Sequence, residues 1–267
     1  MFLVKFTDPE WKQTAISGES IRIGSVLYYR EIKDATFRDE NEGEGSVVYK
    51  SKVPLDAETH NRIFSDEGHK LNDGWSIDTG GVPLVSQKSI FNPYIYSCSL
   101  VRRKRDIPVI AKKFKKDARY YIGDVWKFVD SVSEGLRNHI IMSIKNNPNA
   151  ANPEVQRKIE QLEILPVIGR VTYSNNSKEK VVNEKNAISF NQKAFELKQY
   201  FRKPTKYSNE HEFRMIWLPN LGNMEKDIFD FMATTDRTVD LSLNNHGLSS
   251  KPKSIKRILN KKGKIIA

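Results

Sequence analysis

Residues 206–217 read KYSNEHEFRMIW, and their alternation of apolar and charged side chains is typical of a β-strand. One face of this strand is apolar and consists of Phe213, Met215 and Trp217. The other face is charged and consists of Glu210, Glu212 and Arg214. Two carboxylates on one face repel each other, so a fold keeps them in solvent or at a site that uses them. The stretch therefore predicts either an edge strand with a solvated polar face or a strand that carries a functional site.

The composition is typical of a soluble globular protein. The chain has 267 residues, and no apolar run approaches the length of a membrane span. The apolar stretch at the N-terminus is too short to be a signal peptide, because Asp8, Pro9 and Glu10 interrupt it. Cys98 is the one cysteine, which excludes an internal disulfide. These features predict a cytoplasmic protein with no membrane partner.

Positive charge is concentrated in two segments of a chain whose formal net charge is +11. Residues 101–119 contain nine basic side chains against two acids, and residues 251–267 contain seven basic side chains and no acid. Such clusters suit a polyanion, most often a nucleic acid, although a solvated face or an acidic protein partner fits them too. The residues predicted to bind nucleic acid are Arg102, Arg103, Lys104, Arg105, Lys112 and Lys113.

The pattern of elements predicts an α+β fold, because strands occur in runs and helices are grouped in the middle. A strand followed by a turn is expected over Ser20–Arg30 and a strand at Tyr94–Val101, with another strand suggested at Ile107–Phe114. Apolar residues recur at steps of three and four between Asp124 and Lys145, which predicts a helix there. One domain over residues 1–267 is expected, with a helical insertion at about 124–163 as an option.

Two of the expected strands carry polar side chains at regular spacing. In Tyr94–Val101, the side chains of Ser97 and Ser99 lie opposite an apolar face. In Ser20–Arg30, a regular strand would place Arg22, Tyr28 and Arg30 on one face, with Gly24 leaving space above the sheet.

An arginine strand, a Ser-x-Ser strand and a Glu-x-Glu strand thus follow one another along the chain. This order resembles the Arg, Ser-x-Ser, Glu-x-Glu pattern of the mono-ADP-ribosyltransferases, which use NAD as their cofactor. The resemblance extends from about Arg22 to Glu212 and implies an ADP-ribosyltransferase-like core and an enzyme. The middle motif departs from the family pattern, since Cys98 stands where Thr is commoner.

The resemblance also implies a role for each matching residue. Glu212 would be the catalytic carboxylate that stabilises an oxocarbenium-like transition state, and Glu210 would face the acceptor and help remove its proton. Ser97 and Ser99 would contact the ribose next to nicotinamide and brace Glu212. Either Arg22 or Arg30 would meet the pyrophosphate, and Tyr28 would stack on nicotinamide.

A looser likeness connects the chain with uncharacterised bacterial proteins linked to phage defence. It rests on two segments, residues 22–30 (RIGSVLYYR) and residues 207–214 (YSNEHEFR). The likeness implies a toxin that is held in check by an antitoxin protein, within phage defence or a toxin–antitoxin system. With the basic segments, it suggests a nucleic-acid acceptor, and RNA is favoured over DNA.

Two other function classes fit parts of the sequence. A metal-dependent nuclease is one alternative, since acidic residues are plentiful, although no histidine pair has metal-ligand spacing and no metal site is predicted. A non-catalytic nucleic-acid-binding protein is the other, because it needs only the basic segments and an exposed aromatic residue.

Overall fold

The computed structural model describes residues 1–32, 45–64, 70–88, 92–147, 152–175, 179–183, 192–224, 227–229, 231–232 and 237–255. Its helices are α1 (Pro9–Ser17), α2 (Val26–Glu31), α3 (Ala57–Phe64), α4 (Ile107–Phe114), α5 (Val125–Asn146), α6 (Pro153–Lys158) and α7 (Gln192–Gln199). Its strands are β1 (Phe2–Thr7), β2 (Ile21–Ser25), β3 (Gly45–Tyr49), β4 (Leu55–Asp56), β5 (Ser76–Ile77), β6 (Leu84–Lys88), β7 (Tyr94–Val101), β8 (Ala118–Ile122), β9 (Glu163–Arg170), β10 (Thr172–Tyr173), β11 (Glu179–Val182), β12 (Arg202–Lys203), β13 (Glu212–Asn220), β14 (Thr238–Leu241) and β15 (Leu248–Ser249).

The chain divides into two compact units. The first contains residues 1–40, 91–173 and 203–267, and the second contains residues 41–90 and 174–202. The helical insertion suggested at about 124–163 would contain α5 and α6, and both helices belong to the first unit. The expectation of one domain over residues 1–267 stays a prediction.

An antiparallel sheet of eight strands organises the first unit. Its main order is β14-β2-β7-β1-β8-β15, and β13 pairs with β7 on one side and with β9 on the other. Together with the helices, this sheet makes the chain a mixed α+β protein, as predicted. The edge-strand prediction for residues 206–217 is wrong, because β13 has a neighbour along each edge and is buried from Glu212 to Pro219.

The sheet forks at β7. β13 occupies one edge of β7 from Tyr94 to Ser99, so β1 and β2 must share the other edge. β1 pairs there with residues 99–101 and β2 with residues 94–95. Residues 96–98 have no strand partner on that edge among the described residues, since β1 continues with β8 and β2 with β14. The fork therefore opens at Ser97.

Helix α5 covers one face of the sheet and forms the main core with it. The helix buries residues at steps of three and four, which include Phe128, Val132, Leu136 and Ile140. Tyr96 and Cys98 from β7 pack on this face with Phe213, Met215 and Trp217 from β13. Burial of these large side chains supplies the main stabilisation of the first unit. The helix predicted at Asp124–Lys145 and the apolar face predicted for β13 are confirmed.

We expect Asp124→Ala to lower the free energy of unfolding by about 1 kcal/mol, because Asp124 caps the N-terminus of α5. Its carboxylate accepts a hydrogen bond from the Lys127 backbone N–H at 3.1 Å. Urea unfolding followed by circular dichroism measures the loss. Asp130→Ala on the exposed side of α5 is the matched control and should change stability by less than about 0.5 kcal/mol. Equal losses in the two variants would contradict the capping role.

Helix α4 covers the other face of the sheet, although a strand was suggested for these residues. Ile107, Ile110, Ala111 and Phe114 pack on Val4, Phe6, Val101 and Tyr121. Their steps of three, one and three fit a helix, and Pro108 in the first turn supports its start. The strand suggestion for Ile107–Phe114 is therefore wrong.

The strand expected at the start of Ser20–Arg30 is confirmed, but a helix follows it where a turn was expected. The chain leaves the sheet at Ser25, whose hydroxyl accepts a hydrogen bond from the Tyr28 N–H at 3.3 Å and caps α2. Arg22 thus lies on β2, whereas Tyr28 and Arg30 lie on a helix. The predicted common face of these three residues does not form.

The second unit has a small sheet of its own. β3 is its central strand, with β11 parallel on one side and β6 antiparallel on the other. Its core joins this sheet to α3 and α7 through Val47, Tyr49, Ile63, Phe64, Val182 and Phe195. None of the helices within the described ranges is long and apolar enough to cross a membrane.

Candidate active site

The polar faces of β7 and β13 meet in the middle of the large sheet. Their register places Glu212 opposite Ser99 and Arg214 opposite Ser97. Glu212 is 7% exposed, Arg214 1% and Ser99 3%, so this charged patch is buried rather than solvated. Two of the predicted serine and glutamate residues are thereby brought together as direct cross-strand neighbours.

Both oxygens of the Glu212 carboxylate are bound by cations. Arg214 Nε donates to Oε1 at 2.7 Å, and Lys203 Nζ lies 2.8 Å from Oε2. Arg214 Nη2 adds a longer contact to Oε2 at 3.5 Å. A buried carboxylate is tolerated only with such partners, because an unpaired charge in the protein interior is very unfavourable. The arrangement fixes Glu212 as an anion in one orientation.

Glu210 reaches the same cluster from outside the strand. It is the last residue of a 3-10 helix, Thr205–Glu210, and His211 follows in the left-handed region with φ of 48°. The prediction that Glu210 lies on the strand beside Glu212 is therefore wrong, because this turn breaks the alternation. Its carboxylate nevertheless lies 3.3 Å from Lys203 Nζ and 3.9 Å from Lys113 Nζ. Lys203 thus bridges the two glutamates.

The two carboxylates have opposite protonation tendencies. Burial alone would raise the pKa of Glu212, but attraction from Arg214 and Lys203 outweighs it and holds that pKa well below the usual range. For Glu210, burial prevails and raises the pKa, assisted by the charge of Glu212 and opposed by Lys203 and Lys113. The site therefore pairs a firmly ionised carboxylate with one that accepts a proton more readily.

Lys5 fills the fork beside these residues. Its Nζ donates to the Ser97 carbonyl at 2.8 Å and lies 4.6 Å from the centroid of the Tyr96 ring. Burial lowers the pKa of Lys5, while the nearby Cys98 and Glu212 oppose that shift. The amine thus satisfies a carbonyl that the diverging strands leave without a ladder partner.

Tyr173 closes the cluster next to β13. Its hydroxyl accepts a hydrogen bond from the Glu212 backbone N–H at 2.8 Å. Burial raises the pKa of Tyr173 to about 12, so this hydroxyl stays protonated at neutral pH. It holds the backbone at the start of β13, and thereby positions Glu212.

Arg22 is bound to a neighbouring strand. Its Nε and Nη2 donate to the two carboxylate oxygens of Asp240 at 3.0 and 2.9 Å, and its guanidinium lies over the Trp11 ring. This contact follows from the pairing of β2 with β14, which places Arg22 opposite Asp240. Arg22 has the same facing direction as Ser97 and Glu212, because Gly24 on its side of β2 pairs with Ile95.

The space predicted above Gly24 is filled by aromatic side chains. A Cβ at this position would lie 2.8 Å from the Tyr28 ring and 2.9 Å from the Tyr29 ring. The two rings contact each other edge to face, with centroids 5.3 Å apart. Gly24 therefore admits tyrosines rather than a ligand. Arg30 lies in the last turn of α2.

The predicted nucleic-acid-binding residues lie on the surface around α4. Arg102, Arg103, Lys104 and Arg105 precede the helix and are exposed, as are Lys112 and Lys113 within it. Lys113 is the member of this set that also contacts the carboxylate cluster, through Glu210. Lys251 and Lys253 of the second basic segment are exposed, and residues 256–267 lie outside the described part of the chain.

Sequence reasoning missed Lys203, Lys5 and Tyr173. Lys203 lies seven residues before Glu210, and only the 3-10 helix between them returns its amine to both carboxylates. Lys5 lies two residues after the buried Leu3 and therefore on the same face of β1, but nothing in the sequence showed that both faces of this strand are covered. Within the ranges that the structure describes, no group of three or more His, Cys, Asp or Glu residues could hold a metal ion.

No protein-family model, curated protein or solved structure matches this chain.

The two glutamates should give opposite contributions to the pH dependence of stability. The folded-state pKa of Glu212 lies below its unfolded value of about 4.3, so its contribution is present above about pH 5 and is lost on acidification. The raised pKa of Glu210 has the opposite effect, because the fold favours the protonated form of this carboxyl. Its contribution to stability is therefore present at low pH and is lost as pH rises. We expect urea unfolding between pH 7 and pH 3 to show a shallower acid-side decline in Glu212→Gln than in the wild type. Parallel declines would contradict this assignment.

Proposed function

We propose that the chain is an NAD-dependent mono-ADP-ribosyltransferase that modifies nucleic acid, with RNA favoured over DNA. The observation that carries the proposal is the buried, ionised Glu212 carboxylate directly opposite Ser99 at the point where the sheet forks. A fixed anion of this kind stabilises positive charge that develops on a ribose during glycosidic cleavage. The resemblance of the Arg, Ser-x-Ser and Glu-x-Glu motifs supports the same reaction class.

The two carboxylates suit the two halves of such a transfer. Glu212 is held as an anion by Arg214 and Lys203, so its charge and orientation persist at neutral pH. Glu210 has a raised pKa and is the better proton acceptor, which suits removal of a proton from the attacking acceptor group. Ser99 and Ser97 supply hydroxyl groups on the same face of the sheet.

These residue types match the ribose end of NAD, since a carboxylate and hydroxyl groups are the partners that a sugar requires. Because both Glu212 oxygens are bound by cations, a ribose hydroxyl would have to share or displace one of these contacts. When bound, NAD supplies the ADP-ribosyl group. At the pyrophosphate end, Arg22 is held by Asp240, but their side chains are 56% and 49% exposed. An ion pair that is this exposed contributes about 0–1 kcal/mol, so freeing the guanidinium from Asp240 to meet a pyrophosphate would cost little.

The test is nicotinamide release and transfer of label from labelled NAD to RNA, DNA or protein. We expect transfer by the wild type and a loss of about 100-fold or more in Glu212→Gln. Ser99→Ala keeps the ion cluster and should retain the fold while reducing transfer. Glu154→Gln, at an exposed position on α6, is the matched control for loss of one carboxylate. A folded wild type that releases no nicotinamide with any acceptor would refute the proposal.

A non-catalytic nucleic-acid-binding protein is the second candidate. It is favoured by the saturation of Glu212, whose two oxygens are already bound by Arg214 and Lys203. In that case the cluster only stabilises the sheet, and the exposed cations around α4 carry the function. Nucleic-acid binding that is equal in the wild type and Ser99→Ala, without NAD turnover, would select this candidate.

The cellular role that fits a transferase of this kind is a cytoplasmic toxin, in phage defence or a toxin–antitoxin system. Its support is the likeness of residues 22–30 and 207–214 to bacterial defence proteins. An antitoxin protein would then be the partner that restrains it. Induced expression of the wild type should arrest bacterial growth, while Glu212→Gln at equal abundance should not.

A further inference from the structure

A groove of about 620 Å³ lies in the first unit, away from the Glu212 cluster. Its walls come from the start of α1, the start of α4, strand β8 and the segment after β15. The cationic side chains that line it are Lys12, Lys104 and Arg119, and Asp117 is the one acid in the lining. This volume falls in the range of small-ligand sites, about 300–1,000 Å³, and is far too small for a double helix.

The cations of the groove are available to a ligand. Within the described residues, neither Lys12 nor Lys104 has a carboxylate within salt-bridge distance. Arg119 Nε donates to the Tyr121 hydroxyl at 3.1 Å, which orients the guanidinium without neutralising it. Asp8, four residues before Lys12, is bound by Lys116 at 2.6 Å. The groove therefore has an excess of uncompensated positive charge.

The two basic segments of the sequence converge at this groove. Lys104 and Arg119 belong to the first segment, while Ser250 and Pro252 in the wall flank Lys251 at the start of the second. More than one hundred residues separate the segments, so only the fold brings them to one place. Clustered cations that meet at a groove match the spaced phosphates of a nucleic-acid backbone.

Helix α4 connects the groove with the carboxylates. Ile107 and Pro108 at its start line the groove, and Lys113 near its end lies 3.9 Å from Glu210. Eight helical residues span about 12 Å, and the exposed Lys112 lies between these ends. A polymer bound in the groove and lying along α4 would therefore reach Lys113, which contacts Glu210.

We propose that this groove binds the sugar-phosphate backbone of a single-stranded nucleic acid and leads it along α4 toward Glu210. The first half of this inference stands on the groove alone. The second half rests on the proposed transferase function, in which the bound strand is the acceptor. The proposal adds three residues to the nucleic-acid-binding surface predicted from the sequence, namely Lys12, Arg119 and Ser250.

The test is fluorescence anisotropy without NAD, with one labelled 20-nucleotide sequence as single-stranded RNA, single-stranded DNA and duplex, at 50, 100 and 200 mM salt. In the triple variant Lys12→Gln, Lys104→Gln, Arg119→Gln, we expect Kd for the single strands to rise about tenfold or more. The slope of log K against log salt should become shallower by about 2, since each lost phosphate contact removes about 0.7.

The matched control neutralises three exposed lysines of the second unit, in Lys50→Gln, Lys52→Gln, Lys70→Gln. Both triple variants lose the same charge, and thermal unfolding checks that both are folded. Equal weakening of single-strand binding in the two variants would refute the proposal that the groove binds single strands. Tighter binding of the duplex than of either single strand would refute it too. So would a failure of the wild type to bind while it still releases nicotinamide from NAD. Binding at the groove without NAD turnover would instead support the groove as a nucleic-acid site and refute the proposed transferase function.

Discussion

Replacing Arg214 by methionine is expected to lower the free energy of unfolding by about 3–5 kcal/mol. Arg214 is 1% exposed and lies 2.7 Å from the Glu212 carboxylate through Nε. Methionine fills part of the same volume but leaves Glu212 buried with Lys203 as its remaining close cation. The loss comes mainly from an under-compensated buried charge, and chemical denaturation at pH 7 measures it.

The double variant Glu212→Gln, Arg214→Met separates this charge effect from packing. Removing both charges leaves no under-compensated carboxylate, so the double variant should be more stable than Arg214→Met alone. Arg22→Met provides a matched comparison, because it breaks an arginine–carboxylate pair at the surface and should cost about 1 kcal/mol or less. A loss in Arg214→Met no larger than that in Arg22→Met would refute the buried-charge explanation.

The elements that were predictable from the sequence are those in which a period repeats long enough to be unambiguous. Strand β7 alternates over eight residues, and its Ser97 and Ser99 lie opposite the Tyr96 and Cys98 face as expected. Helix α5 repeats its apolar step over 22 residues. Helix α4 has only eight residues, and a short run that contains β-branched residues fits either element.

The candidate site was predictable in its residue types but not in its contacts. The period of two placed Glu212 and Arg214 together, yet their burial depends on Lys203, which a 3-10 helix returns to the cluster. The Arg22–Asp240 pair joins residues 218 positions apart. It exists because β14 pairs with β2, and strand order is not encoded in any local pattern. Local chemistry was thus readable from one sequence, and long-range pairing was not.

Loss of an aromatic ring from the main core should destabilise the protein about as much as loss of Arg214 from the ion cluster. Phe128 of α5 is fully buried, with its ring centroid 5.0 Å from that of Tyr96 and 6.4 Å from that of Trp217. We expect Phe128→Ala to lower the free energy of unfolding by about 3–5 kcal/mol, because it removes apolar burial and leaves a cavity between helix and sheet. Since Trp217 lies on the strand that carries Glu212, we also expect this variant to weaken the proposed NAD turnover at temperatures at which it is still folded.

Two further variants identify the source of that loss. Phe128→Leu retains most of the volume and should cost clearly less than Phe128→Ala, while Val109→Ala on α4, where valine is 73% exposed, should change stability by about 0.5 kcal/mol or less. If Phe128→Ala were as mild as Val109→Ala, α5 could not be packed on the sheet as described. The face of β13 that holds the core and the face that holds Glu212 belong to one strand, so we expect a shift of its apolar side chains to displace the carboxylate as well. The stability of the core and the geometry of the candidate site are therefore coupled through β13.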